Sequence, residues 1–121
     1  MRQAAAALKT YLSGFGIPAY AVESVPDNVT LPYLTYPATI PEWTQKGTFY
    51  IQIWYRTTSN TPVLTKADEI LQDIGEGKRI PTEDGILVLW PETPACQIMV
   101  DGDVRSAYLN LSLNAYHTPG A

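Results

Sequence analysis

The chain is poor in the residues that chemistry most often requires. It carries one cysteine, Cys96, and one histidine, His117, in 121 residues. A lone cysteine excludes an intrachain disulfide, and a metal site would need ligands of other kinds. No run of lysine and arginine occurs. Lys78-Arg79 is the only basic pair, and 8 basic residues stand against 12 acidic ones for a formal charge of −4. A protein that grips phosphates needs a basic stripe, so direct nucleic-acid binding is not expected; a surface that lies beside DNA and repels it is compatible. No segment approaches the roughly 20 apolar residues of a membrane span. The stretch "MRQAAAALKTYL" is interrupted by Lys9 well short of a signal-peptide core, so a soluble protein without an export signal is expected. The phosphate-cradling patterns GxGxxG and GxxxxGK[ST] are also missing.

What is present points to one globular domain spanning residues 1–121. Hydrophobic residues make up 45%, an ordinary globular share. A chain of this size buries roughly two-thirds of its unfolded surface, enough for a core without staples. Ten prolines and eight glycines cut the chain into short pieces, which favours strands and turns over a helical bundle.

Periodicity places the elements. Ala4, Ala5, Leu8, Tyr11 and Leu12 fall at helical spacing over 2–13, with Gly14 as the stop. A short strand lies around Ile17 to Val22, and Pro26-Asp27-Asn28 reads as a turn. "TLPYLTY" (30–36) is a strand that Pro32 pushes to a sheet edge or confines to its first residues. "PATIPEWTQKG" is a long loop. In "TFYIQIWYRT", Phe49, Ile51, Ile53 and Tyr55 form one face and Tyr50, Gln52, Trp54 and Arg56 the other; the first set reads as core. The helix over 61–75 is expected to be capped by Thr61, to carry Pro62 in its first turn and to stop at Gly75. Its apolar stripe is Val63, Leu64, Ala67, Ile70, Leu71 and Ile74, with Lys66, Glu69, Gln72, Asp73 and Glu76 opposite. "GILVLW" (85–90) has the continuous apolar character of a strand covered on both faces. "CQIMV" and the alternating "VRSAYLNLSLNAYH" then flank the hairpin dipeptide Asp101-Gly102. The last strand would run about 45 Å at 3.3 Å per residue, so it bends or projects. The predicted class is α+β: a mainly antiparallel sheet with two helices packed against it.

No catalytic, cofactor-binding or metal-binding residues are assigned, and an enzyme is not expected. His117 reads as a strand-end residue and Cys96 as a small buried hydrophobe. Hairpin register about Asp101-Gly102 sets Cys96 near Tyr108, away from His117. Asp84, Asp101 and Asp103 lack the further oxygen ligands of a calcium loop, and Glu83-Asp84-Gly85 reads as a turn opening a strand. The aromatic set Tyr33, Tyr36, Trp43, Tyr50 and Trp54, with few cations nearby, suits protein contact better than base stacking.

The order of these segments carries a likeness. A leading helix, "P-Y-x-x-Y" at Pro32–Tyr36, a Pro-rich loop with a Trp, the aromatic strand ending in Arg56, the helix "NTPVLTKADEILQDI" and a long final strand of alternating Leu and polar residues recur together. Over nearly its whole length the chain resembles the small tail terminator (tail completion) proteins of long-tailed phages, and the related neck or minor capsid proteins. That resemblance implies a virion protein assembled in the host cytoplasm. It would form a homo-oligomeric ring, usually of six copies, capping the head-proximal end of the tail tube. Its implied partners are further copies of itself, the major tail tube protein and the head–neck connector, with DNA passing the lumen without specific binding. On this footing Ile40, Glu42 and Trp43, with Pro41, are the loop that touches a neighbour or the tube, and Tyr50, Trp54 and Arg56 the exposed strand face behind it. The competing readings are a neck or head-completion protein, a tube subunit, a host-directed binding module, and a small enzyme using Cys96 or an acidic cluster.

Overall fold

A computed structural model describes residues 2–37, 46–83 and 85–117. Two helices and six strands follow in the order α1 (Arg2–Leu12), β1 (Ala19–Ala21), β2 (Tyr33–Tyr36), β3 (Lys46–Arg56), α2 (Thr61–Ile74), β4 (Lys78–Thr82), β5 (Gly85–Asp101) and β6 (Val104–His117). The strands make one sheet in the order β1-β2-β3-β6-β5-β4. The architecture is a single small α+β domain, but the sheet is mixed and curls into a half-barrel. All pairings are antiparallel except β1–β2, which is parallel. Residues 22–32 supply the crossover that a parallel pair requires: a short 3₁₀ turn, then the turn in which Val29 N–H donates to Pro26 O. Because β1 adds outside β2, the strand after Pro32 is interior; Pro32 itself precedes the ladder and removes no bond from it.

Alternation puts Phe49, Ile51 and Ile53 of β3, Leu87 and Leu89 of β5 and Ala107, Leu109, Leu111, Leu113 and Ala115 of β6 on one face. These form one buried cluster with Ala4, Leu8 and Leu12 of α1 and Val63, Ala67, Ile70 and Ile74 of α2. Both helices therefore cover the same side of the sheet. Central β6 pairs with β3 from Lys46↔Asn114 to Arg56↔Val104 and with β5 on its other side.

Several expectations need correction. Gly14 does not stop α1: the helix tightens into a 3₁₀ turn through Ser13–Phe15, and Gly16, at φ 85°, takes the left-handed position that favours glycine. The extra turn buries Phe15, whose ring meets Tyr11 edge-on at 5.3 Å. Thr61 is not the cap of α2; Ser59 Oγ accepts the Thr61 N–H at 3.2 Å, one residue position before Asn60. Leu64 points outward, and Lys66 turns inward to donate to Phe15 O at 2.5 Å and Glu69 Oε2 at 2.6 Å. β4 was not anticipated, since "KRIPT" offers only Ile80 to the core; as an edge strand it tolerates Pro81. "GILVLW" and "CQIMV" are one strand interrupted between Pro91 and Cys96, where residues 92–95 bulge opposite Asn110. "GILVLW" is covered only in part on its second face: among the described residues no helix packs there, and Val88 is buried, Ile86 half-buried and Trp90 exposed.

Candidate assembly surface

The helix-free face of the sheet has an ordered composition. Cross-strand neighbours run Arg56–Val104–Asp101, Trp54–Ser106–Met99, Gln52–Tyr108–Gln97 and Thr48–Ser112–Trp90 over β3, β6 and β5, with Asn114 beside Val88 beyond them. Down the central strand, Ser106 and Ser112 are small and buried. Large side chains stand above them: Tyr50, Trp90 and Met99 of the flanking strands are 50%, 39% and 52% exposed, and Tyr116 at the end of β6 is 37% exposed. Gln52, Gln97, Thr48 and Asn110 between them are uncharged, while Arg56 and Asp101 at one end, Glu92 at the bulge and Glu76 and Arg79 at the margin put charges around the apolar side chains.

The polar groups bond locally. Gln52 Nε2 donates to Ser106 Oγ at 3.3 Å, and Asn114 Nδ2 to Tyr116 Oη at 2.8 Å. At the bulge, Asn110 Nδ2 donates to Pro94 O at 2.6 Å and Ser112 Oγ to Glu92 Oε1 at 2.6 Å. These bonds hold the bulge against β6 and shape two shallow depressions. One, of about 360 Å³, is lined by Tyr50, Gln97, Met99, Tyr108 and Asn110. The other, of about 630 Å³, lies among Glu76, Arg79, Ile86, Val88, Trp90 and Tyr116. Trp90 forms a wall there because it lies against the backbone of Gly77; a Cβ at that position would fall 2.8 Å from Trp90 Cζ3.

The residues expected at an interface divide. Ile40, Glu42 and Trp43, with Pro41, lie outside the described residues. Tyr50 is on the open face. Trp54 is half-buried: its ring stacks on Tyr33 with centroids 6.2 Å apart, Tyr33 meets Tyr20 at 5.9 Å, and Trp54 Nε1 is buried without a hydrogen-bond partner. Trp54 thus covers its own sheet more than it offers a surface. Arg56 sits at the end of β3 and donates to Asp103 Oδ2 at 2.8 Å, and that hydrogen bond, with the guanidinium charge, holds the Asp103 carboxyl below the usual range. The sequence analysis missed Trp90, Met99 and Tyr116. The signal was alternation, since each occupies the opposite parity to the core residues of its strand.

The chemical alternatives gain no geometry. Cys96 pairs with Leu109 and His117 with Gly85, about 26 Å apart along β6 at 3.3 Å per residue. Cys96 is half-buried, and burial followed by the charge of Asp68 pushes its thiol up, away from thiolate reactivity. Among the described residues, no three ligand-type side chains converge as a metal site would require. No protein-family profile matches this chain, and no curated protein matches it in sequence.

Proposed function

We propose that this chain is a virion assembly protein that caps the head-proximal end of a phage tail tube as a homo-oligomeric ring and joins the tail to the head. Two lines support the proposal: the order of sequence motifs shared with tail terminators, and the open sheet face. The face is the observation that carries it. A monomer that exposed Tyr50, Trp90, Met99 and Tyr116 on one sheet face would gain by covering them, and aromatic residues supply most of the energy at protein contacts. Tyr50, with Trp90 and Met99 in place of Trp54, is the centre of the contact. Head-to-tail association of one such face against a different patch on the next copy closes into a ring when the rotation closes.

The decisive measurement is mass in solution with and without the major tail tube protein, paired with negative-stain images. Closed rings seated on tube ends support the proposal. Tubes of indefinite length made from this chain alone would instead make it a tube subunit. A monomer that binds neither itself nor the tube would sink both.

A further inference from the structure

We propose a second contact, separate from the open face: the outer edge of β5 from Cys96 to Asp101 pairs antiparallel with the same edge of a second copy. Natural sheets protect their edge strands with charge, proline, bulges or a covering element. β4 pairs with β5 only from Gly85 to Leu89, so among the described residues the edge beyond the bulge is unpaired. Its sequence, "CQIMVD", holds no proline and no charge before Asp101. Met99 and Val100 are 52% and 61% exposed on opposite faces of the strand.

The hairpin geometry says which backbone groups are free. Asp101 pairs with Val104 across the two-residue loop Gly102-Asp103, and such a loop closes on a pair that exchanges both hydrogen bonds. Alternation then directs the N–H and C=O of Asp101, Met99 and Gln97 towards β6, and those of Cys96, Ile98 and Val100 outward. Three residues with outward groups form a self-complementary edge. With a two-fold axis at Ile98, Ile98 meets its own copy and Cys96 meets Val100 of the second copy, twice. That arrangement forms about six main-chain bonds. It sets the two Asp101 carboxylates at opposite ends, so no like charges meet. It joins the half-buried Cys96 and Ile98 of both copies with the exposed Val100 into one apolar strip. Among the described residues, the free edge β1 has only three residues, that of β4 carries Pro81, and the stretch of β3 that β2 does not reach, Lys46–Ile51, opens with a charged residue and a glycine, which this edge lacks.

This pairing is isologous, whereas ring closure needs a head-to-tail contact, so the two stand or fall separately. The test uses Val100→Pro and Val100→Cys in the full chain. Proline at 100 removes an outward N–H and leaves the bonds to β6 intact, so the monomer keeps its fold by circular dichroism while two-fold association weakens at least 100-fold by sedimentation. Val100→Cys sets a thiol opposite Cys96 of the second copy, within the Cα separation that a disulfide spans, and mild oxidation yields a covalent dimer. In the parent chain the amides of Ile98 and Val100 become protected from hydrogen exchange as concentration rises. Concentration-independent exchange at those amides, no covalent dimer from Val100→Cys, or association unchanged by Val100→Pro would each overturn the inference, whether or not rings form.

Discussion

Tyr50→Asp separates an assembly surface from a merely uncovered one. Tyr50 is 50% exposed on an interior strand, so the fold uses only part of its contact area. Placing Asp there costs about 1–2 kcal/mol in strand preference and lost packing. In a domain of this size that lowers Tm by about 3–10 °C, leaving a folded chain at room temperature. At an interface the loss is larger. A central aromatic is worth about 2 kcal/mol or more, and a buried unpaired carboxylate adds to that, so each subunit contact weakens at least about 30-fold. The matched control is Leu64→Asp, which removes an exposed apolar side chain from the opposite side of the domain. Leu64 is 40% exposed in the first turn of α2, where a carboxylate suits the helix dipole. Light scattering behind size exclusion and a thermal melt on all three chains decide the matter. Loss of assembly in Tyr50→Asp alone, with both variants folded, is the expected result. Equal assembly in all three chains would refute the assignment of this face.

Leu111→Ala, at the centre of the buried stripe of β6, is expected to cost about 2–5 kcal/mol in urea unfolding with an unchanged slope. Tyr11 Oη–H donates a hydrogen bond to Asp73 Oδ2 at 2.5 Å, and burial first, then that bond and the carboxylate charge, raise its ionisation above the ordinary value. A raised folded-state value contributes stability present below about pH 10 and lost as pH climbs beyond it, so Tyr11→Phe flattens the alkaline limb of the stability curve. Asp103 runs the other way: its lowered value contributes stability that is present above about pH 4 and fades as pH falls, so Asp103→Asn reduces the acid-side slope slightly. Gly77→Ala pushes the Trp90 indole off the backbone it rests on and costs about 1–3 kcal/mol if the ring is held as a wall. A red shift in emission with no loss of stability would show instead that the ring swings freely.

Much of the fold was legible because burial writes itself into period. Phe49, Ile51 and Ile53 and the leucines of β6 alternate cleanly, and α2 shows a stripe with Pro62 at its start and Gly75 at its stop. Failures came where long-range geometry outvoted a local signal. Gly14 is as good a local stop as Gly16, and only the burial of Phe15 against the core selects the later one. Lys66 reads as solvent-facing until α1 ends beside it with a carbonyl to satisfy. β4 offers one apolar side chain and a proline, which reads as a strand only once β5 lies next to it. The candidate surface suffered in the same way. Trp54 and Tyr50 share parity on one strand, and nothing local says that Tyr33 will cover one and leave the other open.

That split bears on what the open face is for. A sheet face that needed only to shield itself would distribute its aromatics as the Tyr20–Tyr33–Trp54 group does, ring on ring over the short strands at one edge. Over β6 the pattern is the reverse. The central strand carries Ser106 and Ser112, which are buried beneath their neighbours, while Tyr108 and Tyr116 of the same strand rise beside the flanking Tyr50, Trp90 and Met99. The two serines leave a broken trough, and the large residues around them leave walls, so the face has relief instead of cover. Relief of that kind is stable in isolation only because the trough's hydroxyls are bonded to Gln52 and Glu92. Removing the partner, as in Glu92→Ala or Gln52→Ala, strips a bond from the trough and leaves the walls in place. If the trough serves contact, such variants lower assembly more than they lower Tm; if it serves only the fold, the two fall together.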